Sequence, residues 1–255
     1  MIRLRAWCAT LVFAAMTTSH AAESPTVLVT GANRGIGFEF ARQYAERGWH
    51  VIATARRPAE ATALAGLAAA HPGVAIEQLD VTDAASIAAL AARYRGRPID
   101  LLINNAGITG KRGQRLGSLD YDDYRKVLET NTIAPLRVTE ALLSNVEASA
   151  QRKVVTISSS EGSITQVGSP RGYAYRSSKA AVNMLMRNLA YDVQARGVTV
   201  ALVNPGPVDT DMMKGVPMPL QKPADAVAKV IGIIDSLTPE KTGRFWDYQG
   251  GELPW

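Results

Sequence analysis

The sequence is poor in the residues from which most metal and thiol chemistry is built. A single cysteine, Cys8, occurs in 255 residues, so neither a disulfide framework nor a multi-cysteine metal site can form within one chain. Histidine is nearly as scarce: His20, His50 and His71 are the full set, and none lies near another in sequence. That leaves little from which to build a histidine metal cluster or a histidine-centred triad, and no metal is expected. Charge of one sign is lacking too. The formal net charge is +5, from 28 Lys and Arg against 23 Asp and Glu, and the basic residues are dispersed. A nucleic-acid partner needs a clustered basic patch, so the expected partner is a small molecule. No apolar run is long enough for a settled membrane span.

What is present is globular. Apolar residues make up 47% and charged residues 20% of the chain, with length for one large α/β domain or two small ones. The first residues, "MIRLRAWCATLVFAAMTTSHAAES", read differently. Arg3 and Arg5 precede an apolar run to Met16 and then small residues, the order of a secretory signal peptide. Residues 1–22 are therefore either a signal peptide, with a periplasmic or secreted product, or a mis-assigned start, with translation from Met16 and a cytoplasmic product. No linker or composition shift follows, so residues 23–255 are expected to form a single domain.

From Thr26 onward strand-like and helix-like segments alternate. "TVLVTG" leads into "GIGFEFARQYAERG"; "WHVIATAR" into "PAEATALAGLAAAH"; "VAIEQLDV" into "TDAASIAALAARY", whose opening Thr or Asp suits a helix cap. "IDLLINNAG" precedes a long helix over 121–148, expected to bend near Pro135. "KVVTISS", "TVALVNPG" and "GRFWDY" complete about seven strands, each of the first six followed by a helix. Strands apolar on both faces suit a parallel sheet covered on both sides, built from right-handed βαβ units. In such doubly wound α/β folds ligands sit at the carboxyl ends of the strands.

Motifs occur at those ends. "TGANRGIG" closes the first strand, with Gly31, Gly35 and Gly37 allowing a tight turn and close approach of an anion to a helix N-terminus. Its spacing is G-x-x-x-G-x-G, not the general G-x-G-x-x-G. "NNAG" ends the fourth strand, "TISSSEGS" the fifth and "NPGPVDTDM" the sixth. In "GYAYRSSK", Tyr175 lies four residues before Lys179, one face of a helix. Tyr173 lies six before it, off that face, and reads as packing or pocket wall. A free tyrosine has a pKa of about 10; a nearby ammonium favours its phenolate and brings it toward the working range.

Together "TGANRGIG", "NNAG", "YRSSK" and "NPGPVDTDM", in this order, resemble the short-chain dehydrogenase/reductase family, single-domain type. The "YAY" before the lysine and the ending "FWDYQGGELPW" further resemble its C-factor and sniffer-type carbonyl reductase branch. The resemblance implies a Rossmann-type doubly wound, mostly parallel seven-stranded sheet with helices on both faces. It implies cofactor contacts from Gly31, Asn33, Arg34, Gly35, Ile36 and Gly37 in the first turn. Asp80 and Val81 would meet the adenine, Asn105, Ala106 and Gly107 the ribose side, and Pro205, Gly206, Val208 and Thr210 the nicotinamide side. The second strand ends in Arg56 and Arg57 with no carboxylate, which suits the 2′-phosphate of NADP rather than the free hydroxyl of NAD.

The same resemblance implies a catalytic set of Asn131, Ser159, Tyr175 and Lys179. Tyr175 would be the acid/base, Lys179 would hold the ribose and lower the tyrosine pKa, and Asn131 would maintain a water relay through its carbonyl. Ser159 matches the family serine only if "TQVGSPRG", or part of it, is an insertion; Ser158 and Ser160 are the alternatives, and the common spacing lands on Gly162. "MMKGVPMPLQ" is expected to form a lid. The expected function is NADP-dependent interconversion of a carbonyl and an alcohol, in a homodimer or homotetramer. The rival is a non-catalytic dinucleotide-binding signalling or regulatory protein.

Overall fold

The computed structural model describes residues 24–255; the segment read as signal peptide or mis-assigned start, with Cys8 and His20, lies outside them. Strand β1 (Thr26–Val29) runs through the glycine turn into helix α1 (Gly35–Glu46). Strand β2 (His50–Ala55), a short 3₁₀ turn at Pro58–Glu60 and α2 (Thr62–Ala70) follow, then β3 (Val74–Gln78) and α3 (Ala84–Arg93). Asp83 caps α3, its carboxylate accepting from the Ala85 N–H at 2.9 Å. The second half comprises β4 (Leu101–Asn104), α4 (Tyr121–Leu128), α5 (Ala134–Glu147) and β5 (Lys153–Ile157). It ends with α6 (Tyr173–Val193), β6 (Thr199–Asn204), α7 (Pro223–Asp235) and β7 (Arg244–Asp247).

The seven strands form one sheet in the order β3-β2-β1-β4-β5-β6-β7. Every neighbouring pair is parallel, a stricter arrangement than the mostly parallel one expected. Alternate residues face opposite layers. Val27 and Val29 pack with Phe40, Tyr44 and Val227 beneath α1 and α7, while Leu28 packs with Val138, Val182 and Met186 beneath α5 and α6. Leu102 and Ile103, adjacent in β4 and fully buried on opposite faces, illustrate the pattern. Each such side chain contributes roughly 1.5–3 kcal/mol through burial. The chain crosses from one half of the sheet to the other between β3 and β4, which opens a crevice at the strand ends.

The helix over 121–148, expected to bend near Pro135, is interrupted just before that residue by a wide π-type turn, Glu129–Ile133. Pro135 sits in the first turn of α5, where proline is tolerated. Because proline has no N–H and its ring crowds the carbonyl four residues back, the carbonyl of Asn131 loses its α-helical donor. The irregularity therefore falls on a candidate site residue.

Candidate active site

A cleft of about 1990 Å³ opens over the carboxyl ends of β1 to β6. It brings together every predicted site residue except Asn131, which lies behind its wall. At its base, the backbone of the first turn has positive φ at Gly31 (66°) and Gly35 (56°), the region that glycine enters without strain. Gly37 is needed for a different reason. A Cβ there would stand 2.3 Å from the Gly31 carbonyl oxygen and 2.4 Å from Asn105 Nδ2. No side chain caps α1, and its first turn carries no acid, so this helix end suits an anion such as a pyrophosphate.

Asn105 ties the turn to β4: its Nδ2 donates to the Thr30 and Gly31 carbonyls at 2.8 and 3.2 Å. Thr30, which no motif singled out, accepts through Oγ1 from the Asn105 and Ala106 N–H groups at 2.9 and 3.0 Å. Two strand ends are thus held in register under the cleft.

The two arginines after β2 have different surroundings. Arg57 pairs with Glu60 at 3.0 Å, and Arg34 reaches Asp211 at 3.4 Å. Arg56 lies beside Asp80. Burial acts to raise the Asp80 pKa, but two Thr82 hydrogen bonds and the Arg56 charge hold it below the usual carboxylate range. Asp80 is not the α3 cap, since Asp83 has that task; its carboxylate instead orders the turn at Thr82 along the cleft rim.

At the other end, α6 places Tyr175 and Lys179 one turn apart, with Lys179 Nζ 5.8 Å from the phenol ring centroid. Lys179 donates to the Ile157 carbonyl at 2.8 Å, which fixes the ammonium at the end of β5. Of the three candidate serines, Ser158 is buried with its hydroxyl donating to Asn183 Oδ1 at 2.6 Å. Ser159 opens a short 3₁₀ turn (Ser160–Gly162), accepts from the Glu161 N–H at 3.2 Å, and lines the cleft together with Tyr175. Ser160 begins that turn and also lines the cleft. Tyr173 forms part of the wall.

Gly162, where the common spacing falls, has a packing role instead. A Cβ there would stand 2.8 Å from the Lys179 carbonyl carbon and 2.9 Å from Lys179 Cβ. Gly162→Ala is therefore expected to push the serine turn off α6, at about 1–3 kcal/mol. Thermal denaturation should show a lower Tm together with reduced turnover; an unchanged Tm would show that the turn can give way freely.

Burial pushes the Tyr175 phenol above its ordinary pKa; the Ser159 hydrogen bond pulls it back and the Glu161 charge adds to the rise. Lys179 is lowered by burial to about 8. The expectation that the lysine brings the phenol below its ordinary value is thus corrected for the protein by itself. Both groups are desolvated, and the ammonium is directed at a backbone carbonyl.

Asn131 uses its side chain structurally. Its Oδ1 accepts from the Ile108 N–H at 2.8 Å, and its Nδ2 donates to the Ile108 carbonyl at 2.8 Å and Ser178 Oγ at 3.0 Å. It thereby joins the loop after β4 to α6. Over the cleft, the segment read as a lid begins at a short turn, Asp211–Met213. Arg112 grips it from the opposite wall, donating to the Lys214 carbonyl at 2.8 Å and to that of Met212. Nothing in the spacing of Arg112 marks it; its partners are a hundred residues away.

Among the described residues, no cluster of three potential metal ligands occurs, and no helix is long and apolar enough to cross a membrane. The arrangement fits a dinucleotide: a glycine cradle that side chains would fill, an uncapped helix end, and a phenol, an ammonium and a hydroxyl at the far end of one cleft.

Comparison with known proteins agrees. Residues 25–219 match the short chain dehydrogenase family. The "C-signal" of Myxococcus xanthus is 42% identical over 158 residues, 62% of this chain and 93% of the relative. The 1-hydroxy-2-glutathionyl-2-methyl-3-butene dehydrogenase of Rhodococcus sp. (strain AD45) is 40% identical over 234 residues, 90% of this chain and 99% of the relative. The crystal structure of NADPH-bound carbonyl reductase from chicken fatty liver superposes with a TM-score of 0.85 at 34% identity, covering 91% of this chain and 99% of that one. With the parallel sheet, the glycine cradle and the Tyr-Lys helix in place, the chain belongs to the short-chain dehydrogenase family.

Proposed function

We propose that the protein is an NADP(H)-dependent oxidoreductase that interconverts a carbonyl and an alcohol. The observation that carries this reading is the convergence of Tyr175, Ser159 and Lys179 at one end of a cleft whose other end presents Arg56 and no opposing β2 carboxylate. When bound, NADPH supplies the hydride that reduces the carbonyl carbon. The chain's own residues manage the oxygen. Ser159 donates to it, and Tyr175 gives it the proton, so that developing negative charge is met as it forms. Lys179 holds the ribose and keeps a positive charge near the phenol. Asn131 serves the proton supply through its carbonyl, which Pro135 leaves without an α-helical donor.

Cofactor contacts are assigned to the first turn (Gly31 and Asn33 to Gly37), Asp80, Val81, Asn105 to Gly107, and Pro205, Gly206, Val208 and Thr210. Arg56 is assigned to the 2′-phosphate, supported by its place beside Asp80 on the rim. A dimer or tetramer through α4, α5 and α6 belongs to the same reading, supported by exposed Ile133, Met184 and Tyr191.

The test is NADPH oxidation with a panel of aldehydes, ketones and quinones. Cofactor binding without turnover on any member would favour the signalling alternative, which the C-signal likeness keeps in view. Arg56→Ala is expected to raise the NADPH dissociation constant roughly 10- to 100-fold, the worth of a charged hydrogen bond, and to leave NADH nearly unchanged. Equal losses for both cofactors, measured by fluorescence titration, would remove Arg56 from the phosphate site.

A further inference from the structure

The stretch between Ser159 and Tyr175 is longer than the common family spacing, and an ion cluster holds it. Glu161 stands two residues after Ser159 in the serine turn, and Arg176 follows Tyr175 on α6. Arg176 Nε donates to Glu161 Oε2 in a very short contact, and its Nη1 donates to the Ser169 carbonyl at 2.6 Å. The Arg176 side chain is only 13% exposed, so this is not a solvated surface pair. Arg171, from the inserted loop itself, donates to Glu161 Oε1 at 2.8 Å. The other side of the connection is the Glu161 N–H, which donates to Ser159 Oγ. A donor arriving at that oxygen leaves the hydroxyl proton free for the phenol or a substrate oxygen. One residue thus touches the serine through its backbone and α6 through its carboxylate.

We propose that Glu161 and Arg176 are positioning residues: their ion pair clamps the serine turn to α6 and keeps the Ser159 hydroxyl aligned with the Tyr175 phenol across the inserted loop. The inference rests on Tyr175 and Ser159 being the reacting pair. The common spacing would place the serine at position 162; here it lies at Ser159, and the clamp, with the close packing of Gly162 on Lys179, holds the longer connection in place.

The clamp has an electrostatic signature that a purely structural strut lacks. Charged and titratable groups lining this end of the cleft with Tyr175 include Tyr173, Arg176 and Lys179 on α6, Arg171 just before it, Glu161 on the serine turn, and Tyr124 and Glu129 on α4 and the π turn. Glu129 is itself paired with Arg137 at 2.8 Å. Glu161 is the carboxylate that acts on the phenol, and it acts to raise its pKa. Removing that carboxylate is expected to lower the phenol pKa, and removing the arginine paired with it, which leaves the carboxylate unneutralised, to raise it.

The test is ultraviolet titration of the Tyr175 phenolate in the cofactor-free full chain, read as each protein minus its Tyr175→Phe counterpart. Glu161→Gln, which keeps the shape of the side chain, is expected to move the midpoint down. Arg176→Gln is expected to move it up, with Arg171→Gln, on an exposed side chain, as a second variant with a smaller upward shift. Arg176→Lys should restore most of the wild-type midpoint. In turnover, Glu161→Gln and Arg176→Gln are expected to lose roughly 10- to 100-fold in kcat, the scale of a misplaced catalytic group, with the NADPH KM held. Midpoints that stay at the wild-type value, or move the same way in both variants, overturn the proposal even where turnover falls. Wild-type protein that turns over no carbonyl, with the opposed midpoint shifts intact, would overturn the enzymatic reading and leave the clamp standing.

Discussion

Tyr175→Phe is expected to lose carbonyl reduction by about 10²- to 10⁴-fold, the range for a positioned acid, while folding and binding cofactor nearly as the wild type does. The Tyr175 side chain lines the cleft and is half-buried, so loss of its hydroxyl is expected to leave few orphaned partners. The pH dependence follows from the same geometry. Reduction needs the protonated phenol, and burial holds the phenol above its ordinary value in the cofactor-free protein. The Lys179 ammonium, lowered by burial to about 8, loses its proton before the phenol does. The alkaline limb of kcat/KM for reduction, which reports the free enzyme, is therefore expected at about 8 rather than in the usual tyrosine range of about 10. Oxidation needs the phenolate, so its rate should climb with pH until the Lys179 ammonium is lost. Steady-state rates of the variant retained within tenfold of wild type would exclude Tyr175 as the acid.

Lys179→Met is expected to separate activity from stability. The ammonium is buried, with a pKa lowered to about 8 from an ordinary 10.5, a displacement worth roughly 3 kcal/mol against the charged folded form. Losing the lysine relieves that cost but leaves the Ile157 carbonyl without its donor, at about 1–3 kcal/mol. At neutral pH the variant is thus expected to equal or exceed the wild type in stability, while its turnover collapses.

The sign of the pH response is the sharper readout. Between about 8 and 10.5 the unfolded wild type holds a lysine proton that the folded protein has released. Its stability therefore rises with pH in that window, by about 1.4 kcal/mol per pH unit at most, and the methionine variant lacks this term. Urea denaturation across the window should show the wild type gaining on the variant. Parallel curves would mean that the buried lysine keeps its ordinary pKa.

Much of the fold was legible because it depends on local pattern. Each β-branched run that ends in a turn signal became a strand, and "TVLVTG" or "TVALVNPG" needed no distant partner to be recognised. Cofactor candidates were legible for the same reason, since a strand end and the helix after it are neighbours in sequence. Where the reading slipped, long-range contacts decided. The irregularity expected near Pro135 takes the form of a π-type turn at Glu129–Ile133, because proline acts on the carbonyl one turn before it. That signal was present in the spacing of Asn131 and Pro135, four residues apart.

The serine question shows the limit most clearly. "SSS" offers three hydroxyls of the same chemistry, and the chain alone favours one only by analogy. The tertiary structure separates them because Asn183, from α6, takes the hydroxyl of Ser158, while the Glu161 N–H addresses Ser159, which lines the cleft together with Tyr175. Thr30, Arg112 and the Glu161–Arg176 clamp were equally invisible, since each acts on atoms remote in sequence or across an insertion.

By itself, then, the sequence determined the α/β alternation, the glycine cradle, and the choice of Tyr175 over Tyr173 by helical interval from Lys179. These follow from the periodicity of helices and the conformational freedom of glycine, which operate over a few residues. Only the tertiary structure decided that the Ser158 hydroxyl is taken by Asn183 while Ser159 stays on the cleft, and that burial raises the phenol and depresses the lysine. Desolvation and hydrogen-bond partnership depend on which distant groups fill the space around a side chain, and that is set when the layers pack.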